Sequence, residues 1–263
     1  MIKIETNDSN IIENIEGLDM IKLTPKDYTG YSKVNRDYSI IEFKFSDFTP
    51  EERDQIYVEA KNLYEKANPN GANTGTQRGD IAKWNDSIAG TIAEYATLVF
   101  FRKAFKEDTS HRPPVTSSEN QIDIAWEHGG KEYSIEVRSS FVNNGINFAL
   151  YASKKKSDTT EFDVLGPYCQ KSYKSDYEPV KNIFMRVFFP TPKFNVEKKY
   201  VEENHSFYLI GGMLGKDLIE LNYHKPLIAK NTVGLSRDGD YFVAPIDKIM
   251  DIKQFLEKFK ETK

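Results

Sequence analysis

Apolar and polar positions alternate over Tyr38-Ser-Ile-Ile-Glu-Phe-Lys-Phe45, which predicts a strand. Thr49-Pro-Glu-Glu then reads as an N-cap, a proline in the first turn and early acids, opening a helix to about Ala67. Asn68-Pro-Asn-Gly-Ala-Asn-Thr-Gly is a loop by composition, either a mobile element or a boundary between an N-terminal extension and the main domain. The clearest helical period follows. Ile88, Ile92, Tyr95, Ala96 and Val99 share one face of a helix capped by Asp86 or Ser87 and running to about Phe105. The first stretch, to about Gly30, mixes short apolar pieces with polar turns and shows no assignable period.

Beyond a polar, proline-containing loop from His111 to Asn120, Gln121-Ile-Asp-Ile-Ala-Trp126 reads as a strand. His128-Gly-Gly-Lys131 is a tight turn, with His128 a solvated turn residue, and Glu132 to Ser140 is the partner strand. Residues 143–181 are polar, rich in Lys and Tyr, and lack a clean period. Asn182 to Phe189 is an apolar run stopped by Pro190, so a buried strand is expected, with Ser206 to Gly212 a second one. Met213 to Glu220 is a short helix or turn. The chain ends in an amphipathic helix carrying Ile249, Ile252, Phe255 and Leu256 on one side. A helix, a hairpin and then alternating elements predict a mixed α/β sandwich.

Composition narrows the function classes. At 263 residues with 39% hydrophobic side chains, the chain has material for one elaborated domain or two small ones. A net charge of −4 argues against a protein that coats polyanions by bulk charge, but it allows a local basic groove. The single cysteine, Cys169, excludes an internal disulfide framework and a thiolate zinc cluster. No apolar run approaches the roughly 20 residues that span a bilayer, and MIKIETNDSN lacks the blocks of a secretory signal. A soluble cytoplasmic protein with no membrane association is expected. His111, His128, His205 and His224 show no metal-ligand spacing, and no phosphate-loop or dinucleotide fingerprint is present.

The hairpin carries the candidate chemistry. Asp123 lies on its first strand; Glu136 and Arg138, two residues apart, share a face of the second. Across a Gly-Gly turn Asp123 and Glu136 come close, forming hard oxygen ligands of the kind Mg²⁺ prefers. Two carboxylates with a divalent ion and a fixed cation suit phosphodiester hydrolysis. The competing reading is a surface hairpin whose outward face is charged.

At these residues the chain resembles the PD-(D/E)XK nuclease superfamily, the fold of most type II restriction endonucleases. Ile122-Asp123, a spacer of twelve residues and Glu136-Val137-Arg138 match the family pattern of an Asp, then (Asp/Glu)-X-Lys on the next strand. Gly90-Thr-Ile-Ala-Glu94-Tyr-Ala is similar to the family's leading helix, in which a Glu often points towards the metal site; Gly90 and Thr97 are small and leave that carboxylate room. The strands at 181–189 and 207–212 are similar to the later pair of many small nucleases. The resemblance covers roughly residues 87–220. It implies an α/β restriction-endonuclease-like core, a mixed central sheet flanked by helices, over residues 81–263. An N-terminal extension, 1–80, is a candidate DNA clamp, with one continuous domain as the alternative. It further implies a Mg²⁺-dependent endodeoxyribonuclease acting on double-stranded DNA as a homodimer, with Asp123 and Glu136 as metal ligands and Glu94 assisting.

One position departs from the pattern. Arg138 stands where the family has Lys, and an arginine cannot lose its proton near neutral pH, so it is no general base. Three explanations stay open: Arg138 stabilises charge in an active enzyme, a lysine such as Lys131 or Lys154 reaches the site, or the protein binds DNA without cutting it. A nuclease acting on RNA or branched DNA is a further alternative. Lys154, Lys155 and Lys156, set among tyrosines, are candidate DNA-backbone contacts, and Asn143 and Asn144 candidate DNA-reading residues.

Overall fold

The computed structural model describes residues 10–29, 31, 34–66, 79–114, 122–152, 164–171, 179–228 and 237–260. The first half contains β1 (Asn10–Ile15), β2 (Leu18–Leu23), β3 (Tyr38–Phe43), α1 (Pro50–Lys66), α2 (Asp80–Ala104), β4 (Thr109–His111), β5 (Ile124–His128), β6 (Lys131–Phe141) and α3 (Gly145–Tyr151). The second contains β7 (Val164–Lys171), β8 (Ile183–Phe189), β9 (Phe207–Leu214), α4 (Gly215–Leu221), β10 (His224–Ile228), β11 (Arg237–Ala244), β12 (Met250–Asp251) and α5 (Ile252–Lys260). The loop at 68–75 and the Lys154–Lys156 run lie outside the described residues.

The fold is α/β, built on a mixed nine-stranded sheet flanked by helices. Its strands lie in the order β1-β2-β3-β9-β8-β6-β5-β4, with β12 beside β9. Neighbours are antiparallel except β6 and β8, which run parallel with Ile135 opposite Ile183. A parallel pair needs a crossover, and α3 lies on that connection. The early segment without a readable period is the β1–β2 hairpin, and β3 joins it to β9 in the same sheet. A second, three-stranded sheet runs β10-β11-β7.

The strand period sorts the sheet's two faces. Ile124, Trp126, Ile135, Val137, Ile183, Met185 and Leu209 face α2 and α5 in the larger core. Phe184, Phe188 and Ile210 face the other way, against Tyr151 of α3 and Leu218 of α4. Thr49 caps α1 as expected: its Oγ1 accepts the Glu52 N–H at 3.2 Å, and the Glu52 carboxylate accepts the Thr49 N–H at 2.9 Å. Helix α2 begins at Asp80, ahead of the expected caps, because Trp84 and Asn85 still find partners there: Glu197 at 2.9 Å and the Val196 N–H at 3.0 Å. Almost every side chain from Asn85 to Phe101 is buried, since α2 lies between the sheet and α1. Among the described residues no helix is long and apolar enough to cross a membrane.

The β5–β6 turn consists of Gly129 and Gly130, with φ of 55° and 72°, the left-handed backbone that a two-residue hairpin turn requires. His128 is a strand residue and not part of that turn. It is buried, with Nδ1 2.7 Å from Asp108 and Nε2 2.9 Å from the Phe259 carbonyl. The expectation of a solvated His128 is therefore corrected: the pocket formed by α5 and the loop after α2 supplies partners for both ring nitrogens. Trp126 beside it is fully buried.

Candidate active site

Asp123 precedes β5 by one residue, and the Ile124–Ile135 pairing puts it opposite Glu136. Its Oδ2 accepts the Val137 N–H at 2.8 Å, which ties the carboxylate to the backbone of the neighbouring strand. Asp123 is only 7% exposed. On β6, Ile135 and Val137 are buried in the larger core, so Glu136 and Arg138 share the opposite face. Arg138 Nη2 lies 2.8 Å from Glu136 Oε1.

Glu94 arrives from the middle of α2 and is buried. A side-chain carbon at Gly90, one turn earlier, would meet open space, so the helix leaves room there. Arg112, just past β4, bridges two acids through separate nitrogens: Nη2 to Glu94 Oε2 and Nη1 to Glu59 Oε2 on α1. Its guanidinium lies 4.9 Å from the Tyr95 ring centroid, and the Tyr95 hydroxyl donates to Glu59 at 2.7 Å. These contacts hold Arg112 in one place over the carboxylates.

The electrostatics follow from burial. The Glu94 carboxyl is pushed up to about 8, first by desolvation and then by the negative charge of Asp123, with Arg112 opposing and Glu59 and Glu136 adding to the rise. Burial also raises Asp123, against the Val137 N–H and the positive charges of Arg138, Arg112 and Lys181. Burial disfavours the Arg112 cation, yet Glu94 and Glu59 outweigh it and raise its pKa. Glu94 thus carries the electrostatic burden of the site: the charges of Asp123, Glu59 and Glu136 all make it harder to ionise.

Such a donor set fits a hard divalent cation. Asp123, Glu136 and Glu94 are the residues that would supply its oxygen ligands. Among the described residues no group of three or more His, Cys, Asp or Glu side chains is arranged to hold a metal ion; arginines engage two of these three carboxylates.

The structure therefore brings together Asp123, Glu136, Arg138 and Glu94. Asn143 and Asn144 are exposed in the turn after β6, and Asn143 lines a cavity of about 370 Å³ with Asp86, Ser139, Ser140 and Lys193. Lys131 sits at the hairpin turn, five residues and about 17 Å along the strand from Glu136, so it does not stand in for the family lysine. Two cations were not anticipated. Arg186 pairs in register with Arg138, is 1% exposed and donates to Ser140 Oγ at 2.5 Å. Its signal was present, as one charge inside the apolar run IFMRVFF. Arg112 had no such signal, since nothing in its loop marks it. No protein-family model, curated protein or solved structure matches the chain.

Proposed function

We propose that the chain is a Mg²⁺-dependent endonuclease that hydrolyses phosphodiester bonds of double-stranded DNA in the manner of a type II restriction enzyme. The observation that carries this reading is the convergence of Asp123, Glu136 and Arg138 on one hairpin with Glu94 from the preceding helix. The surrounding order agrees with it. Strands β4, β5, β6, β8 and β9 lie side by side in that order, antiparallel except for the β6–β8 pair, which is parallel across a crossover, on a core led by α2.

In this reading Asp123 and Glu136 hold the ion and Glu94 assists, directly or through a water. The ion, when bound, neutralises charge on the reacting phosphate and acidifies a water. Arg138, at the mouth of the site with its side chain 35% exposed, faces phosphate oxygens and offsets charge that develops there. It keeps its proton throughout. Glu94 holds a proton near neutral pH and releases it when a cation takes over the neutralising role. A homodimer would present two such sites to a two-fold DNA sequence.

A second reading has its own support. Arg138 on Glu136 and Arg112 on Glu94 compensate two carboxylates without any metal, as a DNA-binding module that does not cut would require. Incubation of the purified protein with unmethylated DNA, in Mg²⁺ and in EDTA, beside Asp123→Asn, separates the two. Discrete bands that need Mg²⁺ and vanish in the variant are expected. Intact DNA with equal binding in both buffers would put the binding module first.

A further inference from the structure

A second cavity, of about 930 Å³, opens beyond the hairpin turn between the ends of β6, β8 and β9 and helices α4 and α5. Four lysines line it, Lys131, Lys181, Lys216 and Lys258, against a single carboxylate, Glu220. In a protein of net charge −4 that is a local concentration of positive charge. Among the described residues the ammonium groups of Lys131, Lys181 and Lys216 make no ion pair or hydrogen bond.

Lys181 is the informative member. Only 7% of its surface is exposed, and it lines this cavity. Asp123 feels its charge but makes no ion pair with it. The Lys181 stem is buried while its ammonium reaches the open cavity, where an anion would meet it. The position is also firmly built. Asn182, the next residue, accepts the Ser134 N–H at 2.8 Å and the Ser134 hydroxyl at 2.9 Å, and the Gly215 backbone packs against the Lys181 carbonyl so closely that a side chain at 215 would not fit. Lys131 and Lys216 are exposed and form the rim above this floor.

The remaining wall is apolar. Leu214, Ile219, Phe259 and the half-buried Tyr133 line it. Phosphate-binding ammonium groups beside an apolar, partly aromatic wall suit a ligand with a charged end and a flat, poorly hydrated end. The volume is that of a small-molecule pocket. We propose that this cavity is a nucleoside-phosphate site, with Lys181 on the phosphate and the base against Tyr133, Leu214 and Phe259. The ligand is a free mononucleotide or the terminal nucleotide of a DNA strand. The assignment does not depend on the nuclease reading.

The test is calorimetric titration of the full-length protein in EDTA, where no metal-dependent cleavage interferes. The probes are the four deoxynucleoside 5′-monophosphates, the unphosphorylated deoxynucleosides and a 5′-phosphorylated single-stranded oligodeoxynucleotide. At least one monophosphate is expected to bind, with its deoxynucleoside tenfold or more weaker and Lys181→Met weakening the monophosphate at least tenfold. Competition by the oligonucleotide assigns the site to a strand end; its failure to compete assigns it to a free mononucleotide. If Lys181→Met does not fold, Lys216→Glu at the exposed rim decides, with a several-fold loss expected. The proposal is overturned if no monophosphate binds the folded wild type, if the deoxynucleoside binds as tightly, or if the deciding variant binds as well as wild type.

Discussion

In the carboxylate site Arg138 meets Glu136 and Arg112 meets Glu94 and Glu59, whereas around the lysine cavity Lys131, Lys181 and Lys216 make no ion pair among the described residues. Both regions contain buried ionisable groups, and both touch β6. The difference lies in who supplies the countercharge. The acids carry theirs within the chain, so the site is held together before anything binds. The lysines would take theirs from the ligand proposed above. Charges already paired contribute to the fold; like charges gathered around an open cavity are where an anionic ligand would gain most.

The sharpest way to break this comparison is to remove a partner on each side. Arg112→Met strands the Glu59 carboxylate and removes the cation that holds Glu94, and denaturant unfolding should show a loss of about 3 kcal/mol, as for other broken buried pairs. Next comes Asp123→Asn, which keeps an acceptor for the Val137 N–H but removes the charge. Mg²⁺-dependent DNA cleavage should fall by at least about 10³-fold, roughly 4 kcal/mol of barrier, while the melting temperature stays the same or rises. An unchanged cleavage rate would remove the hairpin from the chemistry.

Acidity sharpens the same contrast. Folding raises the Glu94 carboxyl to about 8, so the native state keeps a proton that the unfolded chain has already lost. Stability from this group is fully present below the ordinary carboxylate range and is lost as pH rises towards 8. Wild type should therefore lose stability relative to Glu94→Gln across that interval. Mg²⁺ binding, measured by calorimetry in buffers of different ionisation enthalpy, should release protons near neutral pH and tighten as pH rises. A pH-independent stability difference between the two proteins would show that Glu94 is ionised throughout. The smallest effect is expected at Lys181→Met without ligand, where stability should change by no more than about 1 kcal/mol, in contrast with Arg112→Met.

Legibility in the sequence followed the range of the forces involved. The hairpin was readable because a Gly-Gly turn and a period of two are properties of a few adjacent residues, and they also fixed which β6 side chains share a face. Helix α1 was readable from its cap. The start of α2 was misplaced by six residues or more, since Trp84 and Asn85 are held in the helix by Glu197 and Val196, over a hundred positions away. His128 was assigned to solvent for the same reason: Asp108 and the Phe259 carbonyl reach it only through the fold.

By itself, then, the sequence determined the strand and helix periods, the Gly129–Gly130 turn and the pairing of Glu136 with Arg138 on one face, all set by local backbone geometry. Only the tertiary structure decided that Glu94 feels the charge of Asp123 and is bridged to Glu59 by Arg112, or that Lys181 lines a cavity rimmed by lysines from other elements. Those decisions depend on desolvation and on charges brought close by packing, and neither depends on separation along the chain.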